Sequence, residues 1–264
     1  MNNHEIDYRI IGEEMQYVEV ELDPNETAVA EAGSFMMMDE GIEMSTIFGD
    51  GSNAGPNTNF FGKILSAGKR VLTGESLFMT TYTNVGQGKK HVSFASPYPG
   101  KIIPLDLMRL GGRVTCQKDS FLCAAKGVSI GIEFQRKLGT GLFGGEGFIM
   151  QKLEGDGMAF VHAGGHVLER ELMPGEVLKI DTGCIVAFTH GVSYDIQFVG
   201  GIKNTLFGGE GVFFATLRGP GKVWIQTLPI SRLAGRILSY GTFKRKEEGS
   251  ILGGLGNLLD GDGI

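Results

Sequence analysis

Apolar and polar residues alternate over short stretches of this chain, and glycine-rich turns separate the stretches. In YDIQF (Tyr194 to Phe198) every second residue is apolar, and FIMQKL and KVWIQ are short runs rich in β-branched or aromatic residues. Such alternation is typical of β-strands, because successive side chains point to opposite faces of the sheet. Apolar residues at helical spacing occur in SRLAGRILSY (Ser231 to Tyr240) and in the tail ILGGLGNLLD. The pattern therefore predicts an all-β chain in which helices are short.

The chain repeats itself at an offset of 64 residues. The segment from Lys126 to Gly157 aligns without a gap with that from His190 to Gly221, and 14 of these 32 positions are identical. A fainter third copy relates Gly74 to Phe94 with Gly145 to Ala163. A fixed period of this size indicates repeated structural units.

Four segments follow from this repeat. We predict a first β unit over residues 1–99, enlarged by a loop insertion near 45–63, where Gly, Asn and Pro are frequent. The second and third β units cover residues 100–163 and 164–228. Residues 229–264 form a C-terminal extension that ends in an apolar tail.

The motif LFGGEG occurs twice, from Leu142 to Gly147 and from Leu206 to Gly211. Phosphate-binding glycine loops open onto a helix, whereas each LFGGEG precedes a predicted strand and is not followed by GK[ST]. We therefore interpret these glycines, and those of the GDG and GPG turns, as bends of the backbone. The predicted structural glycines are Gly144, Gly145, Gly155, Gly157, Gly208, Gly209, Gly219 and Gly221.

Composition and charge narrow the function classes. The net charge of −6 and the pI near 5.4 argue against a broad phosphate-binding surface, so nucleic acid is not expected as a partner. The sequence shows neither a secretory signal nor a transmembrane segment, which predicts a cytoplasmic protein. Cys116, Cys123 and Cys184 lie in apolar surroundings and fit reduced thiols better than disulfides.

The LFGGEG motif, the GxG turns and AEAGSFMMMD (Ala30 to Asp39) together resemble a family of bacterial conserved hypothetical proteins. This family is related to the mitochondrial protein called "altered inheritance of mitochondria" twenty-four. The resemblance implies three β-sandwich units, close to the double-stranded β-helix class, around a pseudo-threefold axis. It also implies similarity to subunits of the tryptophan RNA-binding attenuation protein. It carries no established catalytic residues, so whether the chain is an enzyme stays open, with the balance against it.

Two sets of residues are candidates for a metal site. In HAGGHVLE, His162, His166 and Glu169 supply imidazole and carboxylate ligands, although metal-binding double-stranded β-helix enzymes use HxH on one strand. Here a Gly-Gly turn separates the two histidines, which favours unconnected side chains. The second set occupies one repeat position in each unit and would converge around a threefold axis, although a structural role is favoured for it. Its members are Glu75, Glu146 and Glu210.

The leading functional hypothesis is a non-catalytic β-rich scaffold or interaction protein without a cofactor, which assembles with itself or with a protein partner. A peripheral membrane contact stays open, because FKRK (Phe243 to Lys246) precedes the apolar tail. The alternative is a metal-dependent or small-ligand-binding double-stranded β-helix protein with its site near His162, His166 and Glu169.

Overall fold

The chain folds mostly into antiparallel β-sheet, which confirms the prediction of an all-β protein. A short α-helix, α1, covers residues 230–238 and overlaps the segment that has helical spacing. Within the described parts of the chain, no helix is long and apolar enough to cross a membrane. The computed structural model describes residues 5–48, 78–136, 148–199, 212–238 and 240.

Nineteen strands are present in these parts of the chain. They are β1 (Asp7–Ile11), β2 (Tyr17–Leu22), β3 (Thr27–Glu31), β4 (Phe35–Met38), β5 (Ile42–Phe48), β6 (Phe78–Asn84), β7 (Lys90–Ala95), β8 (Gly100–Asp106), β9 (Arg113–Gln117), β10 (Phe121–Ala125), β11 (Ser129–Arg136), β12 (Phe148–Glu154), β13 (Met158–Gly164), β14 (Val167–Leu172), β15 (Val177–Asp181), β16 (Ile185–Thr189), β17 (Ser193–Val199), β18 (Val212–Arg218) and β19 (Gly221–Gln226).

Two turns that precede strands have the same hydrogen bonds. In DPNE the N–H of Glu26 donates to the carbonyl of Asp23 at 2.9 Å, and a Glu26 carboxylate oxygen accepts from the Asp23 N–H at 2.8 Å. Glu176 makes both contacts with Met173 in MPGE, at 2.9 and 3.0 Å. The residue types of both segments favour such turns, because proline, asparagine and glycine adopt turn conformations readily.

The strands form four antiparallel sheets. The first has the order β1-β2-β7-β4 and the last the order β15-β18-β17. Between them in the chain are two six-stranded sheets, β5-β6-β3-β10-β13-β8 and β11-β12-β9-β16-β19-β14. Each six-stranded sheet therefore takes three strands from each of two successive predicted units.

We call the two pairings that cross between predicted units the internal joints. They are β3 with β10, where Ala30 lies opposite Cys123, and β9 with β16, where Cys116 lies opposite Ala187. Continuous main-chain pairing thus crosses both predicted boundaries, at 99/100 and at 163/164. The predicted units therefore share hydrogen-bonded sheets.

The strand bounds recur along the chain at the offset found in the sequence. β9 and β15, β10 and β16, and β12 and β18 each begin and end 64 residues apart. Short 3-10 turns at Lys118–Ser120 and Thr182–Cys184 lie at the same offset. The pseudo-threefold arrangement of three repeated β units stays a prediction.

The core lies between successive sheets. One apolar cluster joins the first sheet to the β5-β6-β3-β10-β13-β8 sheet and contains Phe94 and Phe160. A second lies between the two six-stranded sheets and contains Leu105 and Leu153. A third, with Phe188 at 1% exposure, reaches the last sheet. Burial of these side chains supplies the main stabilising free energy, at about 1.5–3 kcal/mol for each large apolar side chain.

Half of the predicted structural glycines can be placed. Gly155 and Gly157 lie between β12 and β13, Gly219 lies between β18 and β19, and Gly221 is the first residue of β19. Gly155 and Gly221 have φ of 147° and 143°, which side-chain-bearing residues rarely adopt. β5 covers the first four residues of the predicted insertion, 45–48. Outside the described residues lie the rest of the insertion, the apolar tail, Gly144, Gly145, Gly208, Gly209, Glu75, Glu146 and Glu210.

Candidate functional site

The structure places His162 in the core. Its side chain is 1% exposed on β13, with Nε2 3.1 Å from the carbonyl oxygen of Tyr98 and the Tyr98 ring edge-on at 4.3 Å. Because a carbonyl oxygen only accepts, Nε2 donates this hydrogen bond. Burial lowers the pKa of His162 to about 4, so the imidazole is neutral at physiological pH. His162 is a buried structural side chain.

The other two members of the predicted metal set have separate surroundings. His166 is exposed, and its N–H donates to Thr227 Oγ1 at 2.9 Å. Glu169 accepts from Lys222 Nζ at 2.8 Å and from Trp224 Nε1 at 2.9 Å. The Lys222 hydrogen bond holds the pKa of Glu169 below its ordinary value. Among the described residues, no group of three or more His, Cys, Asp or Glu side chains is arranged to hold a metal ion.

Replacing Glu169 by alanine is expected to lower the free energy of unfolding by about 1 kcal/mol, since the Trp224 N–H loses its charged acceptor. Trp224 is the only tryptophan in the chain and is 4% exposed, so its fluorescence reports this contact directly. We expect a red-shifted emission in Glu169→Ala. Glu171→Ala, an exposed carboxylate on the same strand, is the control and should leave the spectrum unchanged. Identical spectra for the two variants would show that the Trp224 contact does not form in solution.

A polar cleft beside β1, β2 and β7 is filled by its own ion pairs. Arg9 pairs with Glu19 and Lys89 with Glu21, and both carboxylates line the cleft. The Lys89 hydrogen bond lowers the pKa of Glu21. Both carboxylates of the cleft are thus paired with cationic side chains.

The most unusual surface of the described chain is the edge strand β4. Its four side chains, Phe35, Met36, Met37 and Met38, are 39 to 47% exposed. By contrast, the first four residues of β10 and of β16 are at most 4% exposed. A fully apolar strand at an open sheet edge is rare in native proteins, because its unpaired N–H and C=O groups invite pairing with another strand.

The strands β4, β10 and β16 share a bulge near their first residues. In β4 the pairing with β7 shifts between Phe35 and Met37. In β10 and β16 the shift falls at the same place, between the first and third residues of each strand. β10 and β16 each have a second partner strand, from an internal joint, whereas β4 pairs within the described chain only with β7. Within the described chain, β4 therefore lacks a second neighbour of the kind that covers β10 and β16.

Contacts at both ends hold β4 against β7. The carbonyl of Ser34 accepts from the Ala95 N–H at 2.9 Å, and the Asp39 N–H donates to the His91 carbonyl at 2.9 Å. The Asp39 carboxylate accepts from the His91 N–H at 2.8 Å, and this bond lowers the pKa of Asp39. The Phe35 ring stacks on Tyr82, with 5.5 Å between ring centroids. The exposed edge is thus a fixed strand.

The strand β15 forms a second open edge. It pairs with β18 on one side and is the terminal strand of the last sheet in the described chain. Val177 is 44% exposed and Lys179 is exposed, whereas Ile180 is 8% exposed and joins the core. Its equivalents in the internal joints, β3 and β9, have four buried residues each. β4 and β15 therefore have uncovered edges in the described chain, unlike the strands β3, β9, β10 and β16 that form the internal joints.

Sequence reasoning missed these edges as a candidate site. In the sequence, FMMM (Phe35 to Met38) is noted only within AEAGSFMMMD, one of the segments that carry the family resemblance. The available signal was a run of four apolar residues without alternation, at an edge position that the repeat alone does not reveal.

The family comparison follows the same stretch of chain as the repeats. A model of the family described as mitochondrial biogenesis AIM24 matches residues 8–228. The chain belongs to this family. Its relatives include an uncharacterized protein of Streptococcus pyogenes serotype M6, 30% identical over 236 residues, which are 87% of this chain and 89% of the relative.

A solved member of the fold is also known. The X-ray crystal structure of a Streptococcus pyogenes protein matches with a TM-score of 0.69 and 24% identity, over 89% of this chain and 99% of that chain. This likeness shows that the two chains share a fold. The AIM24 family thus fits a β-rich protein whose function the fold itself does not specify.

Proposed function

We propose that the protein is a non-catalytic scaffold that binds a protein partner by strand addition at β4. The observation that carries the proposal is the exposure of Phe35–Met38, at 39 to 47%, in a strand whose two equivalents are almost fully buried. A partner strand would cover these side chains and pair with the free backbone edge. A single contact would thus bury the apolar side chains and pair the backbone groups.

Strand addition suits the chemistry of this edge. Main-chain hydrogen bonds supply affinity in such complexes, and alternate side chains supply specificity. Methionine is flexible and polarisable, so consecutive methionines adapt to partner surfaces of different shape. The contacts of Ser34 and Asp39 with β7 hold the strand in its extended conformation, which reduces the entropy lost on binding.

The proposed scaffold is built from three β units, residues 1–99, 100–163 and 164–228, followed by the extension 229–264. The recurrence of strand bounds at 64 residues and of the bulge in β4, β10 and β16 supports this organisation. A pseudo-threefold arrangement of the three units, which the resemblance to subunits of the tryptophan RNA-binding attenuation protein implies, would require β4 and β15 of one chain to meet. In the described chain these two strands do not pair with each other. Rigid repeats joined by sheets present binding edges at fixed positions.

Site-specific photo-crosslinking tests the proposed function. A photoreactive phenylalanine analogue at Met36 is expected to form protein adducts in cells, because that side chain lies on the proposed binding edge. The same analogue at Met108, which is 68% exposed in a turn, is the control and should not. Adding Met37→Lys should abolish the adducts at position 36, since a buried lysine opposes strand addition. Equal labelling at positions 36 and 108, or none at either, would exclude β4 as the interaction surface.

A further inference from the structure

The structure suggests which strand covers β4. We infer that it is β15 of a second copy of this chain, so that copies associate head to tail. This inference rests on the proposed function, because it names the partner for the same edge. It follows from how the chain covers the two equivalents of β4.

The chain makes this kind of joint twice, with one register. In the first joint, Cys123, the third residue of β10, lies opposite Ala30, the fourth residue of β3. In the second, Ala187, the third residue of β16, lies opposite Cys116, the fourth residue of β9. Both joints are antiparallel. Two independent pairings with the same register define which strand pairs with which, and which residues lie opposite each other.

The same register specifies the third joint. The common bulge makes Met37 the equivalent of Cys123 and Ala187, and the common strand bounds make Ile180 the equivalent of Cys116. The predicted register therefore places Met37 opposite Ile180 and Met38 opposite Lys179. Both halves of this joint are present in every copy, and in the described chain neither half has its partner.

Association of copies provides a partner strand for both β4 and β15. Each copy offers one β4 edge and one β15 edge, so the contact uses two different surfaces and is heterologous. Repeating such a contact yields a closed ring or an open linear assembly, according to the rotation between copies. The apolar side chains of β4 become buried at each contact, as they are in β10 and β16.

Mixing two singly substituted proteins tests the register without interference from contacts within one chain. Met38→Cys and Lys179→Cys are prepared separately with different tags, both in a Cys184→Ser background, because Cys184 is only half-buried whereas Cys116 and Cys123 are buried. Directly opposed residues lie close enough for a short bismaleimide to link them. We expect a linked heterodimer from this mixture and none from Met38→Cys mixed with Met108→Cys.

Sedimentation gives a second readout. Met37→Lys should weaken self-association by about tenfold or more, since a charged side chain on an edge strand opposes pairing. Met108→Lys should not change it. Both variants should retain the melting temperature of the unsubstituted protein, because both side chains are exposed.

Two results would overturn the inference. One is an internal cross-link in monomers that carry Met38→Cys and Lys179→Cys together, which would mean that the chain closes on itself. The other is a protein that stays monomeric at every concentration while adducts at Met36 still form with a different protein. In that case the proposed function stands and only the second copy is excluded. Absence of both adducts and self-association would remove the two proposals together.

Discussion

Replacing Gly100 by alanine is expected to lower the free energy of unfolding by about 3 kcal/mol. Gly100 begins β8 and pairs with Gly164 of β13. A Cβ at this position would lie 1.9 Å from the carbonyl oxygen of Ala163 and 2.9 Å from the Cα of Gly164. These are backbone atoms of a buried central strand, so they cannot rotate away as a side chain would. The two strands would have to separate.

Gly88→Ala is the matched control for this prediction. Gly88 has φ of 76°, and a Cβ there would meet nothing within 4 Å. Its substitution should therefore cost only the backbone strain of a left-handed residue, about 1 kcal/mol. Chemical denaturation of the two variants measures both costs. An unfolding midpoint for Gly100→Ala that matches that of Gly88→Ala would show that β8 and β13 do not approach as closely as described.

The second large effect is a loss of stability in mild acid through His162. Its pKa is lowered to about 4 in the folded protein, mainly because burial disfavours the charged imidazolium, against an ordinary value of 6.5. Between these two pH values the unfolded chain binds a proton that the folded chain does not. The contribution of His162 to stability is therefore constant above about pH 6.5 and falls as the pH decreases towards 4. The loss is about 3 kcal/mol over this range.

His162→Gln isolates the contribution of this side chain. Gln226 occupies the position 64 residues further on, and its side chain accepts from the Gly164 N–H at 2.7 Å and donates to the Gly183 carbonyl at 2.9 Å. A glutamine is thus already accommodated at the equivalent place. Thermal unfolding from pH 4 to pH 8 should show a much smaller acid loss in the variant. Parallel pH profiles for the two proteins would mean that other groups cause the acid sensitivity.

Features that depend on neighbouring residues could be predicted from the sequence. DPNE and MPGE form their turns through contacts three residues apart, between Asp23 and Glu26 and between Met173 and Glu176. KVWIQ lies within β19, and YDIQF lies within β17. In each case the residue types favour one local backbone conformation, so the pattern and the structure agree.

Sheet membership could not be predicted in the same way. β3 pairs with β10, whose residues lie about ninety positions later in the chain, and no local pattern specifies that partner. The exposure of the candidate site also depends on residues that are distant in the chain. Phe35–Met38 form an exposed edge because a distant neighbour is missing, whereas the equivalent residues Phe121–Ala124 are buried because theirs is present. The burial of His162 likewise depends on Tyr98, 64 residues earlier.

The sheet β5-β6-β3-β10-β13-β8 has a consequence for synthesis of the protein on the ribosome. Its members come from both sides of the first predicted boundary, and the last residue of β13 is Gly164. The sheet is therefore complete only after Gly164 has been translated. Until β10 emerges, the pairing edge of β3 has no partner within the nascent chain. The edge of β3 that pairs with β10 therefore stays exposed while the chain up to β10 is synthesised.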